Sequence, residues 1–414
     1  MNILVINADY LFVNTSANLC HIAYIKGLVD AGHEVDLLSA DKSKYKIDPA
    51  MKMPENMRCF TYNGMSFYEK VSLLNSTTRL SSNQNNSSVE LKKQSRSWAS
   101  KLHMLIYNGL RFAKKKVLDI YGIHGIYATF VRNAARFHSD AMYDYVISIS
   151  TPTASHLLAH KLISSSHIQT KHWIQIWEDP WYSDAYGFNS DKRIFREEQR
   201  LLSFAEHICY VSPLTLKNQQ KLYPESAEKM YWQPLPYYYK NEQPSEQNLE
   251  HNTYGYFGAY YPATRNLEPF YQAAVQTGIE VNICGDPSHL FSTTEKVHIY
   301  ERLPLSELKP IEDSTSVLVF LCNRKGGQIP GKIYQYSATN KTILFIMDGT
   351  KEEQLVLKEY FSKFNRYVFC QNTVADITRA IRQIESGDLG NVQNIPLDAF
   401  HPVKTITNIL EAGR

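Results

Sequence analysis

The stretch that decides the fold is Ile3-Leu4-Val5-Ile6-Asn7 together with Gly32-His33-Glu34-Val35-Asp36-Leu37-Leu38, separated by a helical apolar rhythm over residues 17–31. The first run has no polar face, as expected for a parallel strand that is buried on both sides. The chain turns at Gly32 and then enters a second strand. This strand-helix-strand order predicts a doubly wound α/β architecture.

The same alternation recurs along the chain. Strands are predicted in the first half at residues 145–149, 173–177 and 207–212, and in the second half at residues 254–257, 281–284, 297–300, 316–320, 343–346 and 366–369. A chain of 414 residues is long enough for two domains that each bury a core. We therefore predict two Rossmann-like domains that face each other across a cleft.

The predicted domain boundaries follow from this pattern and from a polar linker after Pro234-Leu235-Pro236. Residues 1–238 are predicted to form the N-terminal domain and residues 239–400 the C-terminal domain. Residues 401–414 are predicted to form a helix that packs back on the N-terminal domain.

Two segments of the first half differ from the rest in composition. Residues 75–97 are rich in Ser, Asn, Thr and Gln, which predicts a mobile loop because such a segment buries little apolar area. Residues 98–137 show helical periodicity and carry a basic cluster at Arg111 and residues 114–116. This cluster predicts either a solvated helix face or peripheral contact with an anionic membrane surface.

Composition limits the classes of function. The formal net charge of +3 arises from nearly balanced sums, which argues against nucleic acid as a partner. The six cysteines form no CxxC pair, a pattern typical of a reducing cytosol. The start of the chain reads as a strand and not as a signal peptide, and no apolar run is long enough to span a bilayer. We expect a cytoplasmic protein, either free or peripheral at the inner face of the membrane.

The strongest site signal is Gly326-Gly327-Gln328-Ile329-Pro330-Gly331-Lys332-Ile333-Tyr334, which follows a predicted buried strand and opens a helix. Glycines allow close approach of the backbone to a ligand, and the first turn of a helix favours a phosphate. Lys332 adds a positive charge. The segment is not a P-loop, because Ile333 stands where that motif requires Ser or Thr. The alternative is a glycine-rich turn with a solvated lysine.

The part of this segment from Pro330, continued to Ala338 and taken with residues 341–344, resembles the donor-binding motif of GT-B glycosyltransferases, particularly family 4. Four other segments match the family in the same order: 32–35, 178–181, 205–212 and 256–267. The resemblance implies transfer of a sugar from a nucleotide diphosphate donor to a glycan or lipid-linked acceptor, in the synthesis of a bacterial surface polysaccharide. It implies the following donor-binding residues: Gly258, Arg265, Gly326, Gly327, Gly331, Lys332 and Gln335.

The chain departs from the family at two places. Gly327 and Gln335 stand where many members have two glutamates, the second of which accepts hydrogen bonds from the ribose. A glutamine oxygen can accept the same bond, but loss of the charge costs about 1–2 kcal/mol. Of the basic pair that the family presents to the diphosphate, only Arg265 is found, and Arg302 or Arg324 is a candidate to replace the other member.

The acceptor side is predicted from residues that follow strands of the first half. Asp179 follows the strand 173–177, at the edge where ligands gather in open α/β sheets, and it is the candidate catalytic residue or sugar ligand. Glu178 is an alternative to it. Ser16 and His156 also follow strands, although Ser16 equally suits a helix start and His156 a solvent-facing position.

No metal site and no cofactor are predicted, because the sequence has no DxD, no HExxH and no paired Cys/His spacing. Two alternatives to a glycosyltransferase stay open. One is a partner protein that binds a sugar nucleotide without turnover, since the paired glutamates are absent. The other is a GT-B nucleotide-sugar epimerase.

Overall fold

The computed structural model describes residues 1–41, 47–49, 51–70, 122–183, 191–238 and 252–413. The predicted loop at residues 75–97 and residues 98–121 of the basic region, with its cluster at Arg111 and residues 114–116, lie outside the described residues. No helix within the described ranges combines the length and the apolar character needed to cross a membrane.

The N-terminal domain is built on a seven-stranded parallel sheet with the strand order β3-β2-β1-β4-β5-β6-β7. The four apolar residues of β1 that open the chain are fully buried, which agrees with the predicted two-sided burial. The strands are β1 Asn2–Asn7, β2 Glu34–Asp41, β3 Arg58–Asn63, β4 Met142–Ser150, β5 Gln169–Trp177, β6 His207–Tyr210 and β7 Met230–Trp232.

Helices cover both faces of this sheet. Helix α1 begins directly after Thr15, whose hydroxyl oxygen accepts a hydrogen bond from the backbone N–H of Asn18 at 3.1 Å and so caps the helix. The helices described in this domain are α1 Ser16–Asp30, α2 Ala128–Ala134, α3 Ala154–Ser164, α4 Lys192–Phe204 and α5 Pro213–Leu222.

The C-terminal domain has a six-stranded parallel sheet with the order β10-β9-β8-β11-β12-β13. Counted from β8, this is the order 3-2-1-4-5-6 of the doubly wound nucleotide-binding fold. The strands are β8 Thr253–Phe257, β9 Glu280–Cys284, β10 Val297–Tyr300, β11 Val317–Leu321, β12 Thr342–Met347 and β13 Tyr367–Gln371. The two predicted Rossmann-like domains are confirmed.

The remaining helices join and cover this second sheet. A capping box at Thr350 and Glu353 fixes the start of one of them. Those described are α6 Glu268–Thr277, α7 Leu305–Ser314, α8 Lys332–Ser337, α9 Lys351–Ser362, α10 Val374–Glu385 and α11 Pro402–Ala412.

The last helix, α11, leaves the C-terminal domain and packs on the N-terminal one, mainly against α1. The hydroxyl groups of Tyr231 and Tyr145 donate to the backbone carbonyls of Ile409 and Leu410 at 3.0 and 3.5 Å. Gly27 lies where the two helices cross. A Cβ at Gly27 would lie 2.5 Å from the carbonyl oxygen of Pro402, so only glycine permits this approach.

This crossing predicts that alanine at position 27 destabilises the protein, whereas helix propensity alone predicts that it stabilises. In an exposed helix, replacement of glycine by alanine stabilises by about 1 kcal/mol. We expect Gly27→Ala instead to lower the free energy of unfolding by about 1–2 kcal/mol, because the methyl group overlaps backbone that cannot move freely. Urea denaturation measures the difference. Lys26→Ala, an exposed neighbour on α1, is the control and should change little; a Gly27→Ala variant as stable as the wild type would contradict the packing described.

Candidate functional site

A cavity of about 340 Å³ lies between the two domains. Its N-terminal wall is the first turn of α1 and the residues before it, including Asn14 and Ser16. Its C-terminal wall consists of residues at and after the ends of β8 and β9, of residues after β10, of the first turn of α7 and of the segment that opens α8. These residues are Phe257, Gly258, Ala259, Arg265, Cys284, Gly285, Asp286, Arg302, Leu303, Leu305, Leu308, Pro330, Gly331, Lys332 and Gln335.

The topology explains this position. In an open parallel sheet, ligands bind outside the carboxyl ends of the strands. Gly258 and Gly285 directly follow β8 and β9, so the cavity opens at the carboxyl edge of the second sheet. Gly331 is close to Ser16 on the facing domain, since a Cβ added to Gly331 would lie 3.4 Å from the hydroxyl oxygen of Ser16.

Cationic side chains dominate the charge of the cavity. Three cations line the cavity: Arg265, Arg302 and Lys332. Among the described residues that line it, Asp286 is the one carboxylate. The guanidinium of Arg265 is held by two bonds, from Nε to the side-chain oxygen of Asn323 at 2.7 Å and from Nη1 to the carbonyl oxygen of Ala259 at 3.1 Å. The wall is therefore suited to an anion.

The structure distinguishes the two candidates for a second arginine. Arg302 follows β10 and lines the cavity, with its side chain exposed to it. Arg324 is outside the residues that line the cavity, and its Nη1 donates to the carbonyl oxygen of Pro262 at 3.0 Å. Arg302 is thus the arginine that is placed to act with Arg265.

Lys332 is paired in this structure. Its ammonium lies 2.5 Å from the carboxylate of Glu312, which is largely buried at the end of α7. The ammonium also lies 5.9 Å from the ring centre of Phe257 and 5.8 Å from that of Tyr336, within the range of cation–π attraction. Lys332 is not the solvated lysine of the alternative interpretation. Glu312 fixes its position.

Gln335 faces the cavity beside the linker between the domains. Its side-chain oxygen accepts a hydrogen bond from the backbone N–H of Tyr238 at 3.0 Å. The oxygen that was predicted to replace the ribose-binding carboxylate is therefore bonded to the linker here. A ribose hydroxyl has to share this oxygen with Tyr238 or displace the linker bond.

The start of the glycine-rich segment contacts the opposite domain. The carbonyl oxygen of Gly327 accepts from the hydroxyl groups of Ser212 at 2.6 Å and Thr215 at 3.4 Å. Gly327 has a φ of 70°, and a Cβ there would lie 3.1 Å from Cβ of Leu214. Because this turn docks on the N-terminal domain, Gly326 and Gly327 are not among the residues that line the cavity, and their donor-binding role stays a prediction.

Asp179 takes part in the same docking contact. It is half-buried two residues after the end of β5, and its carboxylate accepts a hydrogen bond from the side-chain amide of Gln328. It is not among the described residues that line the cavity. The structure thus places Asp179 between the domains beside the cavity, and its catalytic role stays a prediction.

Glu178 lies behind the cavity wall. Its carboxylate is buried 3.3 Å from Nε2 of His21, and Nδ1 of His21 lies 2.8 Å from the side-chain amide of Asn7. Burial, and to a smaller extent Glu178 and Asp179, raise the pKa of the Cys20 thiol well above its ordinary value. This arrangement is a buried polar network that supports α1, and Glu178 does not line the cavity.

The interpretation of His156 as a solvent-facing residue is wrong, and His156 is not among the described residues that line the cavity. The side chain is fully buried, 4.4 Å from the ring of Trp177, and its Nδ1 lies 2.8 Å from the hydroxyl of Ser148. Burial, and next the charge of His124, lower the pKa of His156 to about 3. The exposure of His156 was predicted incorrectly because this residue lies on the face of α3 that packs on the sheet.

Two residues of the site were missed at the sequence level. Asp286 follows β9 at the same edge as Gly258, and its position after a predicted strand was an available signal. Glu312 had no such signal, because it lies 20 residues before Lys332 in sequence and on a different helix.

The chain resembles known proteins in its structure and not in its sequence. No family model and no curated protein sequence matches the chain. Solved structures do match along nearly the whole length of the chain. One of them is TarM, which is 10% identical in sequence; the match covers 99% of this chain and 97% of TarM, with a TM-score of 0.58. The chain has the GT-B fold.

Two further structures give the same result. WaaG, described as a glycosyltransferase involved in lipopolysaccharide biosynthesis, matches at 10% identity over 99% of both chains with a TM-score of 0.56. A sucrose-phosphate synthase from Thermosynechococcus elongatus matches at 10% identity over 100% of this chain and 94% of that one, also with a TM-score of 0.56. Identities this low show the fold, and the particular assignment to family 4 stays a prediction.

Proposed function

We propose that the protein is a glycosyltransferase that moves a sugar from a nucleotide diphosphate donor to a glycan or lipid-linked acceptor, without a metal ion. One observation carries the proposal: an interdomain cavity at the carboxyl edge of the second sheet is lined by Arg265, Arg302 and Lys332. The fold is shared with solved glycosyltransferases, which supports the same class of reaction.

The cavity has two chemically different parts that suit the two parts of such a donor. Leu303, Leu305 and Leu308 with Phe257 supply an apolar wall on which a nucleobase can lie. The three cations supply the charge that a diphosphate requires. The volume of about 340 Å³ falls within the usual range of small-molecule sites.

The chemical role that we assign to the cations is stabilisation of the leaving group. When the bond between the sugar and the diphosphate breaks, negative charge builds up on the departing phosphate oxygen. Fixed positive groups that face this oxygen lower the barrier because they need no reorganisation during the reaction. The bonds that hold Arg265, and the pairing of Lys332 with Glu312, provide that fixed geometry.

On the acceptor side we propose Ser16, which lines the cavity, and Asp179 beside it. Asp179 is proposed to accept the proton of the attacking hydroxyl group or to bind the transferred sugar, which requires the carboxylate to exchange Gln328 for the substrate. The named role of WaaG in lipopolysaccharide biosynthesis supports a bacterial surface polysaccharide as the product class. We place the reaction in the cytoplasm, with peripheral membrane contact through residues 98–137.

A second candidate function is a partner protein that binds a sugar nucleotide without turnover. It is favoured because the two polar groups expected to contact substrate are engaged within the protein. Asp179 accepts a hydrogen bond from Gln328, and the side-chain oxygen of Gln335 accepts one from the backbone of Tyr238. Neither group is presented alone to a substrate. Only a turnover measurement separates this function from catalysis.

The deciding experiment incubates the full chain with UDP-, GDP- and dTDP-sugars, with and without glycan and lipid-linked acceptors, and follows release of the nucleotide. We expect release that depends on the acceptor and persists in the presence of a chelator. Binding without release favours the partner protein. Conversion to a different nucleotide sugar favours an epimerase, and absence of binding to any of the donors refutes the proposal.

Lys332→Ala tests the placement of the diphosphate. We expect the variant to bind a nucleoside diphosphate about 10- to 100-fold more weakly, since a charge-assisted hydrogen bond contributes about 1.5–3 kcal/mol, and to bind the bare nucleoside nearly as the wild type does. Isothermal titration calorimetry measures both affinities.

Two control variants accompany Lys332→Ala. Arg324→Ala removes a cation near the cavity that does not line it, and should leave both affinities unchanged. Lys332→Ala with Glu312→Gln removes the pair together, so that no unpaired buried carboxylate repels the phosphate. Equal losses for the diphosphate and the nucleoside would refute a phosphate role for Lys332.

A further inference from the structure

A cluster of metal-ligating side chains lies outside the cavity, on the N-terminal sheet. His172, Glu206 and His207 each offer one ligand atom, and these atoms all lie within 4.8 Å of one another. We propose that this cluster is a binding site for a divalent transition metal ion such as Zn²⁺. Linear motifs did not predict it, because the two histidines come from different strands.

The fold brings the three residues together. In β5, Ile174 pairs with His207 at the start of β6, and His172 lies two residues before Ile174 on the same face of the sheet. Glu206 directly precedes β6, and its carboxylate oxygen lies 3.0 Å from Nδ1 of His172. Neighbouring strands of a parallel sheet hold their residues at a fixed spacing, so the cluster is anchored on a rigid element.

The distances suit a tetrahedral site. With metal–ligand bonds of about 2.0–2.2 Å in a tetrahedron, neighbouring ligand atoms lie about 3.3–3.6 Å apart. The contact between His172 and Glu206 is already close to this value, and the wider gaps within 4.8 Å close by rotation of side chains. The side chains of His172 and Glu206 are 40% and 53% exposed, which leaves an entry path and room for a water ligand.

The chemistry of the donors selects the metal. Two imidazole nitrogens and one carboxylate oxygen suit Zn²⁺ and its first-row neighbours, whereas Mg²⁺ and Ca²⁺ prefer oxygen ligands throughout. Two lysines lie near by, and both are engaged: Lys229 donates to the carbonyl oxygens of Ser203 and Ala205, and Lys171 pairs with Asp144 at 2.7 Å. Asp144 compensates the charge of Lys171, and the two carbonyl groups hold the ammonium of Lys229 in place.

The end of α11 rests on the same part of the sheet as the cluster. The ring of Tyr145 lies 5.2 Å from that of His172, and the Tyr145 hydroxyl donates to the carbonyl of Leu410 in the last turn of α11. Carbonyl groups at the end of a helix carry partial negative charge and favour a nearby cation. A bound metal would thus tie β5 to β6 beside the point where α11 rests on the sheet.

The site is separate from the proposed donor cavity. His172 is five residues before the end of β5, which is about 16 Å along the strand, on the side away from the carboxyl edge. The proposal is therefore independent of the proposed function, and nucleotide binding need not change when the metal is removed.

The full chain is first treated with a chelator, which is then removed. Co²⁺ or Zn²⁺ is added, and binding is followed by the Co²⁺ absorption spectrum, by calorimetry and by thermal unfolding. We expect one ion per chain, visible bands typical of four-coordinate Co²⁺, a higher Tm, and no response to Mg²⁺. His172→Ala and His207→Ala should each weaken binding at least about tenfold.

Two further variants keep the result interpretable. Glu206→Gln, at an exposed position, removes the carboxylate charge without removing bulk, and should also weaken binding. His138→Ala removes an exposed histidine that lies 3.2 Å from Asp140 and is not part of the three-residue cluster; it should bind the metal as the wild type does. Absence of stoichiometric binding, or an affinity in the His172, His207 and Glu206 variants equal to that of the wild type, would overturn the proposal.

Discussion

The position of the cationic wall depends on a contact between the domains, where the turn at Gly327 and Gln328 docks beyond the ends of β5 and β6. Ser212 donates to the carbonyl of Gly327, and Gln328 donates to Asp179. A Cβ at position 327 would lie only 3.1 Å from Cβ of Leu214, and the backbone there has a positive φ, which favours glycine. Because the same loop continues into Lys332, this contact sets the distance between the cationic wall and the first turn of α1.

The fold was largely predictable because buried parallel strands leave a strong signal. Continuous apolar runs such as Ile3 to Ile6 have no solvent face, and the glycine turn before β2 marks the return of the chain to the sheet. Two strands were missed, β3 Arg58–Asn63 and β7 Met230–Trp232. Both lie at the edges of the sheet. The residues of β3 are mostly exposed and β7 has only three residues, so neither shows the long apolar run that marked the central strands.

The site was predictable only in outline, because its contacts join residues far apart in sequence. The motif around Lys332 indicated a cation at the edge of the second sheet, but its pairing with Glu312 depends on how α7 packs beside α8. The inward direction of His156 is likewise decided by the packing of α3 on the sheet. The cluster at His172 and His207 arises from the register of two strands, which no linear spacing reveals.

The central claim is that a nucleoside diphosphate binds between the domains, with its phosphates on the cationic wall. A crystal structure of the protein with whichever of UDP, GDP and dTDP binds most tightly tests it most directly. The account predicts phosphate oxygens in hydrogen-bond contact with Lys332 and with at least one of Arg265 and Arg302, and the base against Leu303 to Leu308. A nucleotide bound elsewhere on the chain, with this cavity left open, would contradict it.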